Sequence, residues 1–138
     1  MPKGTKVTNV EKREYLRYKS IADGFYEAAK DELNSKRWNA ACLLIVHSAI
    51  GYADAVAIKE SGQKSSSENH QDSVKLLEKV VKHTESRNSA LNQLERLIGH
   101  KTTVAYSGEQ YDQADIEKLM KHLERFRTWV LKLLEYEL

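Results

Sequence analysis

The near absence of proline constrains the fold of this chain more than any other feature. Its 138 residues include one proline, at position 2, and six glycines. Proline breaks helices in their interior, and with glycine it marks the turns that a β-sandwich or β-barrel needs about every 8–12 residues. Such turn signals are missing here, so we expect an all-α fold. The length is that of one domain, which we predict to span residues 1–138, with residues 1–8 as a flexible N-terminal arm.

Composition and charge exclude several classes of protein. With 41% hydrophobic and 30% charged residues, the chain is too apolar to be disordered. A domain of this length buries about two-thirds of its extended surface. The net charge of +2 gives no broad basic surface of the kind that coats nucleic acids. The main local excess of positive charge lies in residues 1–20, which hold six basic and two acidic side chains.

Two long helices are predicted in the first half of the chain, where apolar residues recur every three or four positions. The first follows a capping-box pattern that runs from Thr8 to Glu11. The second covers about residues 37–61 and ends at Gly62, because glycine is favoured directly after a helix. This second helix is apolar on most sides, so we expect it to be the most buried. Small residues that would let another helix approach closely recur on it every seven positions, at Ala41, Ser48 and Ala55.

The second half of the chain predicts two further helical segments. Residues 62–69 are polar and are predicted as a loop, after which Asn69 can cap a third helix. This helix either continues through residues 84–89 or is split there. Residues 99–111 lose helical periodicity, and Asp112 then caps the last helix. Helices of this length must lie side by side, so we predict an antiparallel up-and-down four-helix bundle, with the third helix either continuous or split.

The sequence predicts neither a metal site nor a cofactor. It contains no HExxH motif, no glycine-rich nucleotide loop and no pair of Glu-x-x-His motifs, and its one cysteine, Cys42, lies in an apolar segment. The five histidines show no spacing typical of metal ligands; they are His47, His70, His83, His100 and His122.

A cytoplasmic protein without membrane association is expected. The N-terminus lacks the apolar segment of a signal peptide. The longest apolar stretch, residues 40–58, is interrupted by polar side chains that include His47 and Asp54, which argues against a transmembrane helix.

Two groups of residues are candidates for chemistry. His47 and Asp54 lie seven positions apart on the apolar second helix, where they form either buried structural hydrogen bonds or a polar pocket. Arg96, His100 and Lys101 form a basic corner. It either stabilises the C-terminal end of a helix or faces a phosphate, with His100 as a general acid or base.

Three runs of the sequence resemble a branch of the HEPN superfamily, which consists of small prokaryotic helical domains. They are RWNAACLLIVHSAIGYADA (37–55), SSSENHQDSVKLLEKV (65–80) and HKTTVAYSGEQYDQADIEKLMKHLERFRTWV (100–130). The resemblance implies a helical bundle that dimerises. It also implies either a metal-independent ribonuclease or a component of a toxin–antitoxin pair whose partner protein is a small nucleotidyltransferase.

The ribonuclease motif of that superfamily is degenerate in this chain. The motif is an arginine, four to six residues, a histidine and often x-Tyr. Aligning Tyr106 with that tyrosine puts Val104 and Gly99 at the histidine and arginine positions. Arg96 and His100 have only three residues between them, one fewer than the motif. The resemblance therefore implies a non-catalytic module that forms a homodimer and binds a partner protein, a nucleotide or RNA.

Two alternatives remain open at this point. One is a metal-independent ribonuclease toxin that uses Arg96 and His100, and the other is a structural or regulatory domain that only associates with itself. We also hypothesise that ligand-binding residues converge on one polar cleft, the alternative being unrelated caps and buried hydrogen bonds. The residues of this hypothesis are His47, Asp54, His70, Lys101 and Tyr106.

Overall fold

The computed structural model describes residues 6–66 and 69–135, and this part of the chain is mostly helical. Its helices are α1 (Tyr15–Asn34), α2 (Trp38–Ser61), α3 (Gln71–Val80), α4 (Glu85–Ile98), α5 (Lys101–Tyr106) and α6 (Gln113–Glu135). A 3-10 turn over Lys12–Glu14 precedes α1, and strands β1 (Val7–Asn9) and β2 (Gln63–Ser65) pair antiparallel. The helical fold class is confirmed. The four-helix description is not, because α5 and the small sheet lie outside it.

The predicted capping box at the N-terminus is wrong. Thr8 lies in β1 opposite Lys64 of β2, and α1 begins seven residues later, at Tyr15. The backbone NH of Val10 donates to the carbonyl of Gly62 at 2.8 Å and extends this pairing. Extended, β-branched residues thus gain a strand partner from a segment predicted as a loop. Residues 7 and 8 of the predicted flexible arm are therefore in a sheet, whereas residues 1–5 lie outside the described residues.

The predicted third helix is split, which is one of the two alternatives expected, but the break lies at residues 81–84 and the predicted break at 84–89 falls almost entirely inside α4. Val81 is extended at the end of α3, and the side chain of Thr84 caps α4 by accepting from the backbone NH of Arg87 at 3.0 Å. The buried Arg87 guanidinium donates to the carbonyls of Glu78 and Val81, at 2.9 and 3.2 Å. Arg87 therefore joins the end of α3 to the beginning of α4 and satisfies carbonyls that the helix end leaves without partners.

The segment after α4 differs from its prediction as an irregular loop, because residues 101–106 form α5. The cap of the last helix is as predicted. Asp112 Oδ1 accepts from the backbone NH of Asp115 at 2.9 Å, and Asp115 Oδ2 accepts in return from the NH of Asp112 at 3.0 Å. This reciprocal pair satisfies two backbone donors at the beginning of α6.

Helix α2 lies at the centre of the fold. Twelve of its residues are buried, and it packs against α1, α3, α4 and α6. It ends at Gly62 in the left-handed conformation (φ +70°), as predicted. Its mean hydropathy is high enough for a membrane span by composition alone, but 67% of the relevant window is buried inside the protein. Within the described residues, α2 is thus a core helix.

A polar network at the edge of the apolar core joins three helices. The fully buried Tyr52 of α2 donates its hydroxyl hydrogen to the carboxylate of Asp23 in α1, and Arg127 Nε of α6 donates to the same hydroxyl at 2.8 Å. Lys19 forms an ion pair with Asp23 at 2.8 Å. Burial alone would raise the pKa of Asp23, but hydrogen bonds from Lys19 and Tyr52 outweigh burial and lower it. Every member of the network thus has a partner.

Helices α1 and α2 approach each other closely at Ala22 and Gly51. A Cβ atom added to Gly51 would lie 2.9 Å from the Cβ of Ala22, and Ser48 Oγ donates to the Ala22 carbonyl at 3.0 Å. The small residue Ser48 therefore does face a closely packed helix. Gly24, by contrast, has no atom within 4 Å of such a Cβ.

We expect Gly51→Ala and Gly24→Ala to change stability in opposite directions. Gly51→Ala forces α1 away from α2 and should lower the free energy of unfolding by about 1–3 kcal/mol. Gly24→Ala should raise it by about 0.5–1 kcal/mol, because alanine favours a helix over glycine. Urea denaturation followed by circular dichroism measures both. Equal effects of the two substitutions would contradict the packing described here.

Candidate functional site

A cleft of about 510 Å³ lies where the end of α4, the helix α5 and the beginning of α6 meet. We call it the basic cleft. The residues that give it its chemistry are Arg96, His100, Tyr111, Lys118 and His122. Sequence reasoning singled out Arg96 and His100. Both line the cleft, Arg96 from α4 and His100 from the residue before α5.

His100 is held by a buried tyrosine. Its Nδ1 and the hydroxyl of Tyr111 share a hydrogen bond of 2.9 Å, and the two rings meet edge to face. Burial raises the pKa of Tyr111 to about 12, so this phenol stays protonated at neutral pH. The hydrogen bond therefore restricts the orientation of the imidazole ring without changing the charge of its neighbour.

The segment that carries Tyr111 is fastened to the beginning of α2. Asn39 Oδ1 accepts from the backbone NH of Tyr111 at 2.9 Å, and Asn39 Nδ2 donates to the carbonyl of Glu109 at 2.8 Å. One asparagine side chain thus holds both sides of the loop between α5 and α6. Because Tyr111 in turn contacts His100, Asn39 positions a wall of the basic cleft.

His122 contributes a second imidazole from α6. It is 7% exposed, and its Nδ1 is hydrogen-bonded to Oε1 of Gln93 in α4. Burial lowers the pKa of His122, and the positive charges of Arg96, Arg125 and Lys118 lower it further. His122 is therefore neutral at pH 7. Because Oε1 can only accept, Nδ1 is the protonated nitrogen and Nε2 is the acceptor.

Two cationic side chains of the cleft have no partner in the described part of the chain. Within residues 6–66 and 69–135, Arg96 and Lys118 make no hydrogen bond or ion pair, and both are exposed. The cleft also holds Glu109 and Asp115. The carboxylate of Asp115 already accepts the backbone NH of Asp112. An arginine and a lysine without partners beside two imidazoles can hold an anion, because guanidinium and ammonium groups donate charge-assisted hydrogen bonds to phosphate oxygens.

Three of the residues predicted to share one polar cleft, His47, His70 and Lys101, lie near one another, and none of them lines the basic cleft. The positive charge of Lys101 acts on both His47 and His70. Burial lowers the pKa of each histidine first, and Lys101 lowers both further. The ring of His47 also packs on Phe25 of α1, with centroids 5.7 Å apart.

Asp54 and Tyr106 are placed differently from those three residues. The carboxylate of Asp54 lies 3.9 Å from Nζ of Lys64, and burial raises its pKa to about 6 despite that charge. The positive charge of Lys64 also lowers the pKa of His70. Lys64 therefore connects Asp54 electrostatically to the group formed by His47, His70 and Lys101. Tyr106 is 80% exposed at the end of α5 and, within the described part of the chain, makes no hydrogen bond or ring contact with the other four.

Sequence reasoning missed several residues of the basic cleft. His122 lies on the apolar stripe of α6 next to Leu119 and Leu123, and a histidine on such a stripe is a signal that could have found it. Tyr111 and Asn39 gave no local signal, because they meet across 72 residues of sequence. No group of three or more metal-ligating side chains occurs among the described residues.

Comparison with known proteins gives one match. A family model described as "HEPN domain" matches residues 15–134 of the chain. No curated protein and no solved structure matches.

Asp54→Asn is expected to stabilise the protein at neutral pH. Burial raises the pKa of Asp54 in the folded protein to about 6, above the ordinary value of 3.8. Asp54 therefore ionises less readily in the folded protein than in the unfolded chain, and the free energy of unfolding falls as the pH rises through this range. The substitution should raise the free energy of unfolding at about pH 7.5 by up to about 3 kcal/mol, and the gain should vanish near pH 4. Urea unfolding at both pH values measures this.

Asp23→Asn is the matched control, because the pKa of Asp23 is lowered. Its ionised form stabilises the folded state above the ordinary pKa, so its loss should destabilise the protein at neutral pH. The interpretation of Asp54 is wrong if both substitutions shift stability in the same direction.

Proposed function

Because the chain belongs to the HEPN domain family, with a match over residues 15–134, we propose that it is a non-catalytic binding module whose basic cleft takes a nucleotide or RNA. One observation carries this proposal. Arg96 and Lys118, which have no partner among the described residues, lie in the same cleft as His100 and His122.

The chemistry of the cleft suits a phosphate group. The planar guanidinium of Arg96 can donate two parallel hydrogen bonds to phosphate oxygens, and Lys118 adds a point charge. The acidic neighbours Glu109 and Asp115 reduce the net positive charge. This favours a ligand that offers hydrogen-bonding groups besides its phosphate, as a nucleotide does, over nonspecific binding of polyanions.

The proposal includes partners. We propose that the protein is a cytoplasmic homodimer. Its partner protein is a small nucleotidyltransferase, with which it forms a toxin–antitoxin type pair. Within each chain, α1, α2, α4 and α6 form an up-and-down bundle. Support comes from the family and from apolar side chains left at the surface. Ile21 of α1 is 48% exposed and Leu43 of α2 is 37% exposed, and such residues suit a protein interface.

A metal-independent ribonuclease is the second candidate. It is favoured by the observation that Arg96 and His100 line one cleft and that Tyr111 holds the His100 ring. Arg96 would bind the scissile phosphate, and His100 would act as general acid or base near neutral pH. If the protein neither binds nor cleaves RNA, a structural or regulatory domain that only associates with itself is left.

Binding is tested by fluorescence anisotropy with a labelled single-stranded oligoribonucleotide and with a labelled nucleotide. We expect Lys118→Gln and Arg96→Gln each to weaken binding about tenfold, the loss of one charge-assisted contact. Lys121→Gln is the matched control: it is exposed on the same helix but does not line the cleft. Absence of binding, or equal losses for Lys118→Gln and Lys121→Gln, would remove the proposal.

Cleavage is tested separately, with total RNA in the presence of EDTA. The non-catalytic proposal expects intact RNA at high protein concentration. If RNA is cleaved, the ribonuclease candidate expects His100→Ala to abolish the activity. His83→Ala should leave it unchanged, because His83 is exposed and bonded to Asn88, outside the cleft.

A further inference from the structure

A second cavity lies between the beginning of α3 and the beginning of α5. It has a volume of about 270 Å³ and shares Gly99 with the basic cleft. Its polar lining includes His70 and Gln71 on one side and Lys101 and Thr102 on the other. We call it the His70 pocket.

The lining of the His70 pocket is rich in hydrogen-bond donors, which suit an anion. Lysine, glutamine and threonine side chains all donate hydrogen bonds, and a histidine donates as well. Among residues 6–66 and 69–135, no carboxylate lines this pocket. The basic cleft, in contrast, contains Glu109 and Asp115. A negatively charged ligand in the His70 pocket therefore meets hydrogen-bond donors on both sides, from the beginning of α3 and the beginning of α5.

Lys101 is the central cation of this pocket. It is half-buried, yet it makes no hydrogen bond or ion pair within residues 6–66 and 69–135. Lysine is almost never fully buried unless its ammonium group is paired, and Lys101 is already half shielded from water. Asp54, the nearby buried acid, has its own basic neighbour in Lys64, 3.9 Å away. The charge of Lys101 is therefore not balanced from within the described protein.

The neighbouring charges reinforce this excess. His70 faces Lys101 of α5, His47 of α2 and Lys64 of β2, and after burial these three lower its pKa. All three neighbours are basic, so their charges oppose protonation of the His70 ring. An anion would reverse that balance, because it favours the protonated imidazole.

We propose that the His70 pocket is a separate anion site that takes a phosphoryl group, held by the ammonium of Lys101 and the side chains of His70, Gln71 and Thr102. A cavity of about 270 Å³ is smaller than those that enclose a whole drug-sized ligand, which begin at about 300 Å³. The phosphoryl group is therefore either inorganic phosphate or the phosphate of a nucleoside monophosphate whose base stays outside. This site does not depend on the function of the basic cleft.

The test is NMR of the histidine rings in the full-length protein, titrated with inorganic phosphate, a nucleoside monophosphate and the nucleoside alone. We expect phosphate-bearing ligands to move the ring resonances of His70, and the nucleoside to leave them in place. Lys101→Gln should weaken this binding about tenfold, and Lys101→Arg should restore most of it. Lys118→Gln should leave the His70 response unchanged, because Lys118 belongs to the basic cleft.

Sulfate, unlike phosphate, keeps the same charge between about pH 5.5 and about pH 7.5, so a change in its affinity with pH must come from the protein. Its affinity should rise as the pH falls from about 7.5 to about 5.5, because His70 gains a proton that the anion stabilises. The proposal is wrong if saturating phosphate does not move His70, or if Lys101→Gln, shown to be folded by circular dichroism, binds as tightly as the unaltered chain. A response that Lys118→Gln removes would assign the binding to the basic cleft instead.

Discussion

Helix α2 is apolar on nearly every side, and the rest of the structure depends on covering it. Hydrophobic burial is the main favourable contribution to folding, and a helix with twelve buried residues needs neighbours all around it. Helix α1 meets this need by approaching as far as Gly51 allows, while α3, α4 and α6 cover the remaining sides. The short helix α5 and the loop after it lie at the rim of this packing, where side chains reach solvent.

Polar residues within α2 show how the same burial produces either structure or a site. Tyr52 finds Asp23 and Arg127 on two neighbouring helices and is fully satisfied. Asp54 faces Lys64 at the longer distance of 3.9 Å, and burial raises its pKa to about 6. The first arrangement fixes the register of three helices. The second arrangement leaves more basic than acidic groups near the His70 pocket, and a bound anion would balance this excess of positive charge.

The candidate site was predictable only where its residues are close in sequence. Arg96 lies in the last turn of α4 and His100 follows two residues after that helix ends, so their closeness in sequence is enough to bring them together. His122 was hidden on an otherwise apolar stripe of α6. Tyr106 was chosen as the functional tyrosine, yet it points to solvent, and the tyrosine that contacts His100 is Tyr111. The folded chain alone shows this, because Asn39 holds the loop from 72 positions away.

Local sequence signals are enough to predict the helical class, the left-handed end of α2 at Gly62, a break between α3 and α4 and the cap at Asp112. These features depend on side chains acting on backbone within a few residues, which a linear pattern records. Tertiary structure alone decided that residues 7–9 form a strand, because their partner lies more than fifty positions away. It also decided which histidines meet which cations, since the electrostatic neighbours of a side chain are set by helix packing and not by its position in the chain.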